Sequence, residues 1–173
     1  MTDPQPVVHA LKIYTPGYQW SGQLTLTLRR RLSDIFNNER DDDFIEFEHM
    51  ALSSWDKDPG QTLLTLDRVA ISRSNTIVIL CAESTAPVRE AFPDRVVKVV
   101  QRVRIVVPPF ILTGDFHATR EVDWYNVFRL SKQRFLGLTA VDLASLSSDL
   151  ALEGQVEFAL INRQRIVAIE LTG

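Results

Sequence analysis

The apolar pattern of this chain repeats itself at a spacing of 92 residues, and that repetition limits the fold more than any single motif. Val7, Leu11 and Ile13 recur as Val99, Val103 and Ile105, and Pro16 and Gly22 recur as Pro108 and Gly114. Around the centre, Leu32, Asp34, Ile35 and Phe36 correspond to Trp124, Asn126, Val127 and Phe128. Beyond it the spacing falls to 91, setting Phe44, Phe47, Met50 and Leu52 over Phe135, Leu138, Val141 and Leu143. After the turn at Asp56–Gly60 a spacing of 89 lays Ala70–Leu80 over Ala159–Ile169. Each slip falls in a turn, where insertions and deletions cost little. A repeat of this kind decides the architecture before any local signal does. It implies two copies of one unit, at 1–86 and 95–173, joined by a linker at 87–94. Apolar positions survive between the copies while most polar ones change, so the central stretch is a packing element and not a catalytic one.

Each copy reads as β-β-α-β-β-β, a mainly β (α+β) unit. Strands are expected at Val7–Tyr14, Tyr18–Leu28, Phe44–Ser53, Thr62–Ser72 and Thr76–Ala82. The second copy offers Val96–Val107, Phe110–Ala118, Phe135–Leu143, Gly154–Ile161 and Arg165–Leu171. Leu24, Leu26 and Leu28 alternate with Thr25 and Thr27, the period of a half-buried strand. From Leu28 the period becomes that of a helix, with Leu32, Ile35 and Phe36 on one face and Arg29, Arg30 and Arg31 on the other. A second helix is expected over Thr119–Leu130, with Thr119 as its N-cap. Ser33 and Asp34 are unfavourable inside a helix, so either Ser33 is an N-cap or Asp34 bonds a backbone group or an arginine. Gly22 within a strand signals a bulge or bend, the device by which small barrels close. The expected arrangement is two small barrels related by a pseudo-two-fold axis, with Val96–Val107 pairing across the junction.

Composition excludes several function classes. The net charge is -3 and neither half is strongly basic, which argues against broad electrostatic capture of nucleic acid. One cysteine, Cys81, ends an apolar strand and permits no disulfide within the chain, which fits a reducing cytoplasm. No signal peptide and no apolar run long enough to cross a membrane is found. His9, His49 and His117 are scattered, without cysteine or carboxylate at ligand spacing, so no metal or other cofactor is expected. His117 and Asp115 share a strand face and could bond each other, but no nucleophile lies nearby. Asp41–Asp43 lacks the spaced ligands and glycine of a calcium loop and reads as a solvated turn. No phosphate loop or nucleophile elbow occurs, so no catalytic residue and no small-molecule substrate is expected.

Two resemblances follow from these residues. The run Arg31–Asn37, between a Pro-containing turn and a closing Ile-x-x-Ile strand, resembles an uncharacterised family of small bacterial proteins with an Arg-Leu-Ser-Asp-Leu-Leu-Asn type motif. That resemblance implies a domain unit and brings no activity. Five short strands bent at a glycine are similar to the Sm-like and SH3-like small barrels. In Sm domains a turn with arginine between the last two strands helps hold RNA, and here Arg73-Ser74-Asn75 and Arg163-Gln164-Arg165 stand at that place. The expected function is a non-catalytic cytoplasmic interaction or scaffold module, whose partner is another protein or a further copy. Its expected contact surface comprises Arg30, Arg31, Asp34, Asn37 and Trp55, the last as an exposed loop tryptophan of the kind enriched in hot spots. The alternative is RNA or single-stranded nucleic-acid binding through Arg73, Arg163 and Arg165.

Overall fold

A computed structural model describes residues 7–26, 31–38, 43–55, 61–84, 99–118, 123–146 and 154–172. The first copy contributes β1 (Val7–Thr15), β2 (Tyr18–Leu26), α1 (Leu32–Phe36), β3 (Phe44–Ser54), β4 (Thr62–Ser72) and β5 (Val78–Ser84). The second contributes β6 (Val99–Val107), β7 (Phe110–Ala118), α2 (Trp124–Leu130), β8 (Phe135–Ser145), β9 (Gln155–Asn162) and β10 (Ala168–Leu171), with a single 3-10 turn at Arg163–Arg165 before the last strand. The fold is mainly β, and the strands form one antiparallel sheet of ten, in the order β10-β6-β7-β8-β9-β5-β1-β2-β3-β4. Among the described residues the sheet is open, with β10 and β4 as its two edges.

The strand registers recur at nearly the spacing of the sequence repeat and shift its alignment at one place. β1 and β6 pair with β2 and β7 in the same register at the 92-residue spacing. Phe44 and Phe135, 91 apart, face Ser72 and Asn162, which fixes β4 over β9 at a spacing of 90 rather than 89. Tyr14 and Val106 likewise face Val78 and Ala168, giving 90 for β5 over β10. A slip of one residue exchanges the faces of a strand. At the corrected spacing Arg73 lies over Arg163, and Ile79 over Ile169.

The units are not related by a two-fold axis. Such an axis would bring equivalent strands together, whereas β5 meets β9, the equivalent of β4. This is a heterologous, head-to-tail junction. The strand expected to bridge it does not: β6 lies between β7 and β10. Side chains alternate across β5, and the alternation divides them between two cores. Val78 and Leu80 join the core of the second unit, while Ile79 and Cys81 join that of the first. From β9, Leu160 crosses into the first core. Val78–Cys81 and Ala159–Ile161 are therefore buried on both faces.

The bends fall at the expected glycines. Opposite Gly22 and Gly114 the third strand of each unit turns through a left-handed residue, His49 (φ 52) and Ala140 (φ 48). Non-glycine residues rarely adopt this conformation, so its occurrence at equivalent positions marks a built bend. Both helices start later than expected. α1 begins at Leu32 and α2 at Trp124, where Asp123 and not Thr119 is the N-cap: its Oδ1 accepts the N–H of Tyr125 at 3.2 Å. Thr119, Arg29, Arg30 and the linker lie outside the described residues.

Candidate functional site: the junction and its groove

Of the conspicuous polar residues of the first unit, Asn37 and Asp43 reach the junction, while Arg31 and Asp34 act locally. Asp34 accepts the backbone N–H of Arg31 at 3.3 Å, which satisfies one of the orphan donors at the start of α1. Leu32 and Phe36 are buried. Asn37 then reaches into the other unit, where its Oδ1 accepts from Phe135 N (2.7 Å) and its Nδ2 donates to Phe135 O (3.0 Å). Phe36 meets the ring of Phe135 edge-on at 5.7 Å. Arg31–Asn37 is thus a helix that buries its apolar side and clamps its neighbour with its last residue.

Asp43 is the second anchor. It accepts from Ser72 Oγ (2.6 Å) and Ser74 Oγ (2.7 Å) in its own unit and pairs with Arg134 of the other. The bond from Ser72, then those from Ser74 and Arg134, hold its carboxyl at about 2, against a smaller opposing push from burial. The described end of the acidic run is therefore a junction anchor and not simply a solvated turn. Fully buried Asn162 is the third, donating Nδ2 to Thr76 O (2.7 Å) and Arg73 O (3.2 Å) while its N–H donates to Ile77 O (2.9 Å). Asn162 and Arg134 carry no sequence signal, because their partners lie in the other unit.

The three hairpin arginines do not form one basic surface. Arg73 is 4% exposed and donates Nη2 to Ile35 O at 3.3 Å. Arg163 is half-buried. Arg165 is exposed and donates Nη2 to Ser74 O across the junction at 3.0 Å. Trp55 also departs from expectation: it is half-buried, packs beside Phe110 at 6.2 Å, and donates Nε1 to Thr15 O at 2.9 Å.

Trp55 and Arg165 nevertheless share one place. An open groove of about 550 Å³ runs along the junction, walled by Pro16 and Trp55 of the first unit and by Pro109, Arg165 and Val167 of the second. Val167 is 71% exposed there. The residues are brought together by the pairing of β5 with β9, since they are far apart in sequence. A shallow groove lined by apolar side chains, a tryptophan and an arginine suits an apolar group carried beside an anionic one.

A second polar cluster braces the bend of the second unit. Arg102 bonds Asp115 (3.1 Å), Asp142 (2.7 Å) and the carbonyl of left-handed Ala140 (2.8 Å). His117 Nε2 and Thr139 Oγ1 lie at hydrogen-bond distance, 2.7 Å. Among the described residues no three His, Cys, Asp or Glu side chains converge as a metal site, and no helix is long and apolar enough to cross a membrane.

Comparison adds no relative to this geometry. The chain matches no protein-family model, no curated protein and no solved structure at a significant level.

Proposed function

We propose that the protein is a non-catalytic interaction module whose junction groove captures an extended segment of a protein partner. The observation that carries this reading is the groove itself: two units contribute Trp55, Arg165 and exposed Val167 to one largely apolar surface that also presents a cation. Asn37 supports it indirectly, by tying the units together at Phe135, and the Arg31–Asp34 bond caps the helix that ends in Asn37. Each unit reads as a small barrel of the Sm-like and SH3-like kind, a reading supported by the 5-1-2-3-4 strand order and the bend at Gly22 and Gly114. The motif at Arg31–Asn37 fits the bacterial domain family it resembles, and a cytoplasmic setting suits the single buried Cys81. The nucleic-acid alternative has less support, because Arg73 is buried and only Arg165 of the three arginines is exposed.

The test is a displayed random-peptide library panned on the wild-type protein and, separately, on a Val167→Glu/Arg165→Glu variant. Both substituted side chains are exposed, so the fold should survive. Peptides bearing an acidic residue beside apolar ones should be enriched on the wild type and bind the variant at least tenfold more weakly. Peptides that bind both proteins equally would place the contact elsewhere.

A further inference from the structure

We propose that Arg165 makes the junction groove selective for a partner segment that carries a carboxylate, and that Ser74 and Asp43 of the other unit are positioning residues that aim it. This selectivity rests on the reading of the groove as the binding surface and adds what that surface discriminates. Among the described residues that line the groove, Arg165 alone is charged; apart from Gln164 its neighbours there are apolar or aromatic. Among the described residues no carboxylate pairs with Arg165. The nearby arginines are engaged elsewhere: Arg134 pairs with Asp43, and buried Arg73 donates Nη2 to Ile35 O at 3.3 Å. A cation without a counter-charge, beside Trp55 and exposed Val167, complements an anion carried next to an apolar group. The first unit has no equivalent cation, because Asn75 stands where the second has Arg165.

An ion pair formed by a mobile surface arginine gains little, because holding the long side chain in one geometry costs entropy. Here the holding is built into the junction. Arg165 Nη2 donates to Ser74 O at 3.0 Å, which uses one of the five donor hydrogens of a guanidinium and fixes its direction. Ser74 is itself tied down: its Oγ donates to Asp43 at 2.7 Å, Ser72 Oγ to the same carboxylate oxygen at 2.6 Å, and Arg73 N to Asp43 O at 2.7 Å. Asp43 is held in turn by Arg134 of the second unit. The contacts therefore leave the second unit at Arg134, cross to Asp43 and Ser74, and return at Arg165. Pre-ordering a binding group in this way lowers the entropy lost when its ligand arrives.

The test is a pair of NMR titrations of the full chain, one with naphthylacetate and one with naphthylacetamide, following the Trp55 Nε1–H signal. The two probes share ring and size and differ in the carboxylate. Naphthylacetate should bind about fivefold more tightly than the amide, and Arg165→Gln should abolish the difference without changing the affinity for the amide. Ser74→Ala and Asp43→Asn should each reduce the preference to about twofold, again leaving amide binding unchanged. Added to Arg165→Gln, neither substitution should have any further effect, since both act through that side chain. Ser74→Ala removes only an exposed hydroxyl, so it reads the positioning role even if Asp43→Asn loosens the fold. Equal binding of both probes at Trp55 would overturn the selectivity and leave the groove standing as a binding surface. No shift at Trp55 with either probe would overturn both. Positioning variants that weaken both probes alike, or that still act in the Arg165→Gln background, would reduce Ser74 and Asp43 to structural roles and overturn the aiming.

Discussion

At the residue scale, the polar groups that stand out in the sequence act as ties between elements. Asp43 offers the clearest quantitative consequence. Its carboxyl titrates at about 2 in the folded protein, below the ordinary 3.8. A group whose folded pKa is depressed contributes stability above its unfolded value and loses that contribution as pH falls toward the folded one. The unfolding midpoint in urea should therefore fall between about pH 4 and pH 2, and Asp43→Asn should flatten that part of the profile while lowering stability at pH 7. An unchanged acid limb in the variant would remove Asp43 from the junction. The recurrence of the apolar positions of Arg31–Asn37 pointed to packing, and Leu32 and Phe36 are buried. The recurrence did not show what Asn37 holds, since Phe135 is a hydrogen-bond partner 98 residues away.

At the element scale, alternation and turn chemistry made the hairpins and bends legible. Gly114 is where this can be measured. A methyl group there would meet Thr139 O and Val141 Cγ2 at 3.1 Å and Leu138 Cβ at 3.2 Å, all in a packed bend. At Gly22 the obstruction is mainly the flexible end of Met50. Gly114→Ala should cost about 1–3 kcal/mol of unfolding free energy, and Gly22→Ala less. Equal costs would show that the two bends do not differ in packing. The strand order was less legible, and for a physical reason. Ile77–Cys81 and Phe158–Ile161 are unbroken apolar runs, the mark of strands buried on both faces, but such runs lack the alternation that fixes phase. The same runs allowed the one-residue error in spacing, because apolar lies over apolar in either alignment. The paired arginines Arg73 and Arg163 carried the correct phase.

At the scale of the whole molecule, a head-to-tail junction makes two copies into one cooperative body. A two-fold pair of barrels would keep its cores apart, joined only at a surface. Here Val78 and Leu80 leave the first unit to fill the second core, while Leu160 and Phe135 fill the first. Neither core is complete without the other unit, so unfolding should be a single transition. Trp20 packs against the first core and Trp124 against the second, which allows single-tryptophan variants to report each unit separately. Both reporters should give one urea midpoint. Leu80→Ala removes a side chain only 1% exposed from the shared strand and should cost about 2–5 kcal/mol, moving both midpoints together. Separate midpoints, or a shift confined to the Trp124 reporter, would mean that each unit folds independently and that the junction is only a contact between finished domains.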